Sequence, residues 1–337
     1  MKVVKIPGKG RLEIVEAPEP VADDGHVVIR PKFIGICGSD LHYLADGSCG
    51  LSVIREPLTP GHEISAVLDE DVEIDGKAVP AGTPVAIHPA TFGDKLPGIE
   101  DKPEIWPNGS YFGSAQYFPH THGGMTEKMV VRPDQLRVLP EGLSLEMAAL
   151  AEPLSVGLHA INLAGDVRGR KILVSGAGPI GLLAAGALVS LGAARVDVSD
   201  ILDEPLAVAK KVGAQGVFNV STESLPANTY DMVFECSGAA PAISASFKAA
   251  APGAVIVQVG MLLDRDVPLN LSAINGKEIT YIGSFRFNDE IDQALELLAG
   301  TPALREVITQ VYPVDRVADA FAVAGDPSQS SKVLVEF

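Results

Sequence analysis

The sequence predicts an α/β protein that combines a doubly wound parallel sheet with a second domain rich in β-strands. Strand-like and helix-like segments alternate over residues 171–284, which is the pattern of a parallel sheet with crossover helices. A glycine motif opens this region. Before it, short apolar runs separated by Pro, Gly and Asp are typical of antiparallel strands.

The parallel sheet is expected to contain six strands. We place them near 171–175, 195–199, 216–219, 231–235, 254–259 and 278–284, with helices near 179–191, 204–212 and 240–250. A helix from about 145 to 163 precedes the sheet, and a helix at 288–299 and a strand at 332–336 follow it. Six strands that alternate with helices indicate a doubly wound sheet.

A dinucleotide site is predicted after the first of these strands. Gly176, Gly178 and Gly181 follow the strand in the spacing G-x-G-x-x-G. They allow, in turn, a tight turn, close approach of a pyrophosphate to the backbone, and close packing of helix on strand. Pro179 and Ile180 begin the helix, whose free N–H groups can bind an anion.

Asp200 follows the second strand, where a carboxylate can accept hydrogen bonds from both ribose hydroxyls of NAD. The 2′-phosphate of NADP would be repelled by that carboxylate. The next residues, Ile201 and Leu202, supply no cation for it. The sequence therefore predicts NAD in preference to NADP.

The composition limits the classes of function. The net charge of −17 offers no basic stripe to a nucleic acid. No stretch reaches about 18 uninterrupted apolar residues, so we expect no membrane span. Three cysteines do not make a disulfide framework, and the first residues lack the apolar core of a signal peptide. We expect a cytoplasmic protein that acts on a small molecule.

Four residues outside the predicted sheet are candidate metal ligands: Cys37, His62, Glu63 and Glu152. Catalytic zinc sites use three protein ligands of these types and leave one position open. Each residue also has a structural interpretation, since a cysteine in an apolar stretch is often a core thiol and a glutamate can open a helix. Spacing alone does not decide between the two.

Longer motifs add information to these single residues. They are Gly-Ile-Cys-Gly-Ser-Asp-Leu-His-Tyr at 35–43, Pro-Gly-His-Glu at 60–63, Ala-Glu-Pro-Leu-Ser at 151–155, Phe-Glu-Cys-Ser-Gly at 234–238 and Gly-Ser-Phe-Arg-Phe at 283–287. Together they resemble the zinc-dependent medium-chain dehydrogenase/reductase superfamily, in particular its sorbitol dehydrogenase and L-idonate 5-dehydrogenase branch. The resemblance implies a Rossmann NAD-binding domain at 147–286 and a β-rich, GroES-like catalytic domain at 1–146 and 287–337.

The resemblance also implies roles for individual residues. The zinc ligands would be Cys37, His62 and Glu152, with Glu63 as an exchangeable ligand near the bound water and Asp40 orienting His62. Ser39, His42 and Glu63 would carry the proton; Tyr43, Phe112 and Arg286 would border the substrate; Val259, Gly260, Ser284 and Phe285 would line the nicotinamide. Turn chemistry for Ser39, a loop hydrogen bond for His42, and an ordinary ion pair or a contact to the cofactor for Arg286 are the alternatives.

The sequence departs from the family at the structural zinc. Many relatives carry four closely spaced cysteines in the lobe that corresponds to residues 89–112, but here no cysteine lies between Cys49 and Cys236. The four acids of this stretch do not replace them, because structural zinc favours thiolate and imidazole; they are Asp94, Glu100, Asp101 and Glu104. We expect one zinc per chain and a lobe held by packing.

The implied reaction is oxidation of a secondary alcohol of a sugar acid or polyol, with NAD as hydride acceptor and L-idonate to 5-dehydro-D-gluconate favoured. Sorbitol or xylitol oxidation is the alternative within enzymes. A catalytically silent NAD-binding protein and a zinc-free quinone reductase are disfavoured by the complete ligand set. The apolar strand at 278–284 could pair across a two-fold axis, so we expect a homodimer or homotetramer.

Overall fold

The computed structural model describes residues 1–23, 25–262 and 266–337. Within these ranges the strands are β1 (Lys2–Gly8), β2 (Arg11–Glu16), β3 (Val27–Gly35), β4 (Ser48–Cys49), β5 (Ser52–Val53), β6 (Glu63–Leu68), β7 (Val72–Ile74), β8 (Lys77–Val79), β9 (Pro84–Ile87), β10 (Ala90–Thr91), β11 (Ser110–Tyr111), β12 (Met129–Val131), β13 (Leu136–Val138), β14 (Lys171–Ser175), β15 (Arg195–Asp200), β16 (Gly216–Asn219), β17 (Tyr230–Glu235), β18 (Ala250–Gln258), β19 (Thr280–Gly283), β20 (Ile308–Pro313) and β21 (Lys332–Glu336).

The helices are α1 (Gly38–Asp46), α2 (Leu145–Ala148), α3 (Ala151–Ala164), α4 (Pro179–Ser190), α5 (Asp203–Lys211), α6 (Ala240–Ala249), α7 (Ser272–Gly276), α8 (Glu290–Gly300) and α9 (Val317–Ala324). Short 3₁₀ helices lie at Pro103–Ile105, Pro133–Gln135, Pro302–Val307 and Val314–Arg316. No described helix is long and apolar enough to cross a bilayer.

The described chain divides into two compact units. Unit 1 contains Met1–Glu152, Ile308–Asp326 and Lys332–Phe337, and unit 2 contains Pro153–Val307 and Pro327–Ser331. The sequence placed the second boundary at 286/287. In the structure residues 287–307 stay with unit 2, because α8 is hydrogen-bonded to α3 through Glu290 and His159.

Unit 2 contains the predicted six-stranded parallel sheet. Its order is β16-β15-β14-β17-β18-β19, and every neighbouring pair is parallel. This is the doubly wound order, so the predicted Rossmann topology is confirmed. In the register, Ser175 lies opposite both Ser199 and Glu235. The carboxyl ends of the inner strands therefore meet at one edge, where such sheets bind ligands.

Unit 1 contains a mainly antiparallel sheet in the order β13-β9-β6-β3-β21-β20, with β12 also paired to β3. The pair β20–β21 is parallel and the others are antiparallel. Apolar side chains of β3 and β6, such as Ile29, Ile34 and Leu68, are fully buried. Because β3 lies between β6 and β21, the ends of these three strands come together.

The irregular lobe predicted at 89–124 is held by local hydrogen bonds. Strand β10 pairs with β11. Beyond this ladder, Asp94 N donates to Pro107 O at 2.8 Å, and Asn108 Nδ2 donates to the Asp94 carboxylate at 2.7 Å. Trp106 Nε1 donates to Ile99 O at 2.8 Å. Among the described residues, the acids of the lobe form no group of potential metal ligands.

An acid–imidazole pair anchors α8 to α3. His159 Nδ1 lies 2.9 Å from Glu290 Oε1, and both side chains are largely buried. The other oxygen, Oε2, accepts from Asn288 N at 2.8 Å. Burial raises the pKa of Glu290, but the hydrogen bonds from His159 and Asn288 outweigh it and lower this pKa to about 2.

Replacing Glu290 with glutamine is expected to lower the free energy of unfolding by about 1–2 kcal/mol near neutral pH, because charge-assisted hydrogen bonds become neutral ones and solvent screens part of the effect. The folded-state pKa lies below the ordinary value of 4.5. The stabilisation is therefore present above that pH and lost as the pH falls towards about 2. Denaturant unfolding near pH 7 and near pH 3 measures the difference.

Glu296, exposed on the same helix, provides the control, since E296Q should unfold like the wild type at both pH values. A stability loss in E290Q that is the same at both pH values would contradict the proposed origin of the effect.

Candidate metal centre and dinucleotide site

Cys37, His62 and Glu63 form a group of potential metal ligands in unit 1. One ligand atom from each residue lies within 4.8 Å of the others. The fold brings them together because Cys37 follows β3, Glu63 begins β6, and Gly35 of β3 lies directly opposite Glu63. Sulfur, imidazole nitrogen and carboxylate oxygen are the donors that Zn²⁺ binds in proteins.

Asp40 connects the two segments that carry these residues. Its Oδ2 accepts from Cys37 N at 3.0 Å, and its Oδ1 accepts from Gly61 N at 3.1 Å. The carboxylate is fully buried. Asp40 was expected to orient His62, but its hydrogen bonds among the described residues go to the backbone. It therefore fixes the turn before α1 and the turn before His62.

Glu152, another predicted ligand, is not a member of the group. Tyr111 Oη donates to Glu152 Oε1 at 2.5 Å. The Tyr111 ring also meets the His62 ring edge-on, with centroids 5.6 Å apart. Sequence reasoning gave Tyr111 no role, although it holds one predicted ligand and packs on another. The assignment of Glu152 as a ligand stays a prediction.

The electrostatics of the group favour a cation. Burial lowers the pKa of His62, but the Cys37 sulfur, Asp40 and Glu152 outweigh burial and raise this pKa to about 10. Burial raises the pKa of both Asp40 and Glu152. Carboxyl groups and a sulfur gathered around one imidazole favour a positive charge at this place.

One oxygen in the group is also free to bind a metal. Glu63 Oε2 is buried and has no hydrogen-bond partner among the described residues. A buried carboxylate oxygen without a partner is costly unless something binds it. The donor types, their proximity and this oxygen fit a zinc ion.

The predicted relay and substrate residues of unit 1 occupy different environments. His42 is 59% exposed on α1, 3.5 Å from the Asp46 carboxylate. Ser39, in the first turn of α1, is half-buried. Tyr43 lies in the apolar core, and its hydroxyl accepts from Ala115 N at 3.0 Å. The structure thus brings neither His42 nor Tyr43 into the metal group, and their roles stay predictions.

Two further predicted substrate residues are Phe112 and Arg286. Phe112 is half-buried against the core of unit 1. Arg286 has a φ of 50°, an uncommon value for a residue with a side chain, and its guanidinium lies 4.9 Å from the centroid of the Phe285 ring. Phe285 itself is exposed. The guanidinium therefore lies over this ring, and the substrate roles of Phe112 and Arg286 stay predictions.

The glycine motif has the geometry that a dinucleotide site requires. Gly176 has a φ of 101°, and a Cβ there would lie 2.8 Å from Ser237 N. A Cβ at Gly181 would lie 2.0 Å from Gly176 O. Beside Gly178, which caps α4 at Pro179, a Cβ would meet nothing within 4 Å among the described residues. Gly176 and Gly181 therefore permit close packing, and Gly178 leaves the N-terminus of α4 accessible.

Asp200, the last residue of β15, holds the glycine loop. Its Oδ2 accepts from Ala177 N at 2.7 Å. Its Oδ1 accepts from Ile201 N at 2.7 Å and from Leu202 N at 3.1 Å. Carboxylate oxygens have further lone pairs, so these bonds leave capacity for ribose hydroxyls.

Glu235 lies beside the predicted dinucleotide site and was given no role by the sequence. It ends β17 and is fully buried. Its carboxylate accepts hydrogen bonds from Ser237 N, Ser237 Oγ, Gly238 N and Gln258 Nε2, and its carbonyl accepts from Val259 N and Gly260 N. The carboxylate therefore fixes the loop at Ser237 and Gly238, and the backbone carbonyl fixes the loop at Val259 and Gly260. The signal for this role in the sequence was an acidic residue at the end of a buried strand.

Ser284 follows β19 at the same edge. Its backbone N donates to Gln258 O at 2.9 Å. Its Oγ is buried and has no hydrogen-bond partner within the part of the chain that the structure describes. This hydroxyl is available to a polar group of a ligand, and its predicted role at the nicotinamide stays a prediction.

Comparisons with known proteins agree with this geometry. A family model described as alcohol dehydrogenase GroES-like domain matches residues 23–141, and one described as zinc-binding dehydrogenase matches residues 179–300. The chain belongs to the zinc-dependent medium-chain dehydrogenase/reductase family and is an oxidoreductase. The predicted GroES-like and Rossmann parts are confirmed.

Individual relatives indicate the branch of the family to which the chain is most similar. L-idonate 5-dehydrogenase (NAD(P)(+)) of Escherichia coli K12 is 34% identical over 310 residues, covering 90% of this chain and 89% of the relative. Sorbitol dehydrogenase 2 of Saccharomyces cerevisiae is 34% identical over 340 residues, covering 93% and 91%. The crystal structure of the Escherichia coli L-idonate 5-dehydrogenase superimposes with a TM-score of 0.92 at 30% identity, covering 100% and 98%. The chain thus falls among the polyol and sugar-acid dehydrogenases.

Proposed function

We propose that this protein is a zinc- and NAD-dependent dehydrogenase that oxidises L-idonate to 5-dehydro-D-gluconate. The group of Cys37, His62 and Glu63 carries the proposal, because a silent NAD-binding protein needs no such ligand set. The similarity to L-idonate 5-dehydrogenase supports the choice of a sugar acid. Sorbitol or xylitol oxidation is the alternative, since a sorbitol dehydrogenase is equally identical to the chain.

The proposed zinc site uses Cys37 and His62 with a carboxylate from Glu63 or Glu152. When bound, zinc supplies Lewis-acid chemistry that makes the alcohol easier to deprotonate. Asp40 and Tyr111 hold the ligand-bearing segments in place. We propose one zinc per chain, because the lobe lacks cysteines and is held by hydrogen bonds.

The proposed NAD site uses the glycine loop, Pro179 and Ile180 for the pyrophosphate and Asp200 for the adenosine ribose. When bound, the nicotinamide accepts the hydride. Val259, Gly260, Ser284 and Phe285 are proposed to orient its ring and carboxamide. Glu235 supports this role by fixing the backbone at Val259 and Gly260.

Arg286 is proposed to bind the substrate carboxylate, which a sugar acid has and a polyol lacks. Phe112 would limit the pocket, and Tyr43 would act through the backbone at Ala115 that it binds. For the proton transfer we propose Ser39 and Glu63, with the exposed His42 passing the proton to solvent.

The exposed edge strand β19 is consistent with a homodimer or homotetramer. The proposed location is the cytoplasm.

The test is NADH consumption when purified protein receives 5-dehydro-D-gluconate, with and without a zinc chelator. We expect rapid consumption that the chelator abolishes and added zinc restores. Consumption that is insensitive to the chelator would contradict the metal assignment. Absence of consumption, combined with NADH formation from sorbitol or xylitol, would replace the sugar-acid substrate with a polyol.

A further inference from the structure

Lys332, the first residue of β21, is a buried lysine beside the metal group. Its side chain is 3% exposed, and its Nζ lies 2.5 Å from Oε1 of Glu63, whose side chain is 1% exposed. Desolvation of two charges offsets most of their attraction, so a buried ion pair is a weak source of stability. The burial of Lys332 therefore calls for an explanation other than stability.

The same ammonium group also binds the segment that carries the cysteine. Lys332 Nζ donates to Ile36 O at 3.0 Å, and Ile36 directly precedes Cys37. In return, Ile36 N donates to Val333 O at 3.0 Å. One side chain thus links the start of β6, through Glu63, to the backbone just before Cys37.

Gly35 makes room for the Glu63 carboxylate. Glu63 lies directly opposite Gly35 in the pairing of β3 with β6. A Cβ at Gly35 would lie 1.8 Å from Glu63 Oε2. Lys332 binds Oε1, whereas Oε2 is buried and unpartnered among the residues described. The carboxylate is therefore fixed on one side and presents a single free oxygen.

We propose that Lys332 is a positioning residue of the metal centre. It holds Oε1 of Glu63 and the backbone at Ile36, so that the second carboxylate oxygen and the Cys37 thiol are directed at the same ion. The proposal rests on the zinc site proposed above. It adds that a residue of β21 sets the orientation of the Glu63 carboxylate. Partners of this kind typically change metal affinity by about 10- to 100-fold.

The decisive variant is Lys332→Met, which keeps the apolar stem and removes the ammonium group. We expect the folded variant to release zinc to a chelator about tenfold faster or more. We also expect the visible absorption of the cobalt-substituted protein to shift, because the ligand geometry changes. Lys332→Arg should recover most of the wild-type release rate. A purely structural lysine would affect thermal stability and leave both the rate and the spectrum unchanged, which would overturn the proposal.

A double-mutant cycle tests whether Lys332 acts through Glu63. In a Glu63→Gln background, Lys332→Met should add little to the rate of zinc release. An equal acceleration in both backgrounds would overturn the proposal. Gly35→Ala places a methyl group against the other oxygen of the same carboxylate. This variant should shift the cobalt spectrum even if Lys332→Met does not fold. An unchanged spectrum would count against the proposed geometry.

A different result would show that the proposed zinc site itself is wrong. The wild-type protein would then hold no stoichiometric zinc, and Cys37→Ser would not change zinc binding. A wild type that binds zinc through Cys37, together with unchanged zinc release in Lys332→Met, would contradict the role of Lys332 alone.

Discussion

Replacing Cys37 with serine is expected to lower the turnover of the dehydrogenase by roughly a thousandfold. Loss of the metal removes several kcal/mol of charge stabilisation in the transition state, and about 1.4 kcal/mol corresponds to a factor of ten in rate. Serine oxygen is a poor replacement for a thiolate at zinc. The measurement is turnover together with the zinc content of the purified variant.

Cys49 provides the matched control for this experiment. It is also a half-buried cysteine of unit 1 and does not belong to the metal group. Cys49→Ser should keep its zinc and its turnover within about twofold of the wild type. If Cys37→Ser retained stoichiometric zinc and full turnover, the assignment of Cys37 as a ligand would be wrong.

Replacing Asp200 with alanine is expected to weaken NAD binding by roughly 100- to 10,000-fold and to reduce the preference for NAD over NADP. The two lost ribose hydrogen bonds account for the first effect, because bonds to a charged acceptor contribute about 1.5–3 kcal/mol each. Removal of the repulsive charge accounts for the second. Titration with NADH and NADPH, followed by nicotinamide fluorescence, measures both.

Asp200 also holds the glycine loop through Ala177 N, so a second variant is needed. Asp200→Asn retains one acceptor oxygen for Ala177 N and removes the charge, and its amide nitrogen no longer accepts from Ile201 N and Leu202 N. It should reduce the preference for NAD with a smaller loss of NAD affinity. Asp203→Ala, exposed three positions further along the chain, should change neither. Unchanged cofactor preference in both Asp200 variants would contradict the NAD assignment.

The Rossmann part was predictable because its information is local. Apolar strands, glycine spacing and helix periods recur within short windows, so β14 and β16 begin and end where the sequence placed them. The helix expected from about 145 to 163 is instead divided into α2 and α3. Strand β20 and helix α9 were not predicted, because their short apolar runs have no clear period and are stabilised by packing on β21.

The contacts that complete the candidate site could not be read from the sequence. Tyr111 meets Glu152 across 41 positions, and Lys332 meets Glu63 across 269. The first contact joins strand β11 to the first turn of α3, and the second depends on the register of β21 and β6 on either side of β3. A single sequence identifies residue types suited to bind zinc, but only the sheet shows which donor holds which carboxylate.

The place of β21 inside the sheet of unit 1 has a consequence for biosynthesis. Residues 332–336 lie between β3 and β20, so this sheet stays incomplete until they emerge from the ribosome. Until then the Glu63 carboxylate lacks its ion-pair partner, the ammonium group of Lys332. The parallel sheet of unit 2 is built from one continuous stretch of chain and has no such requirement. That sheet is therefore able to form during translation, whereas the contact of Lys332 with Glu63 forms only after β21 has been synthesised.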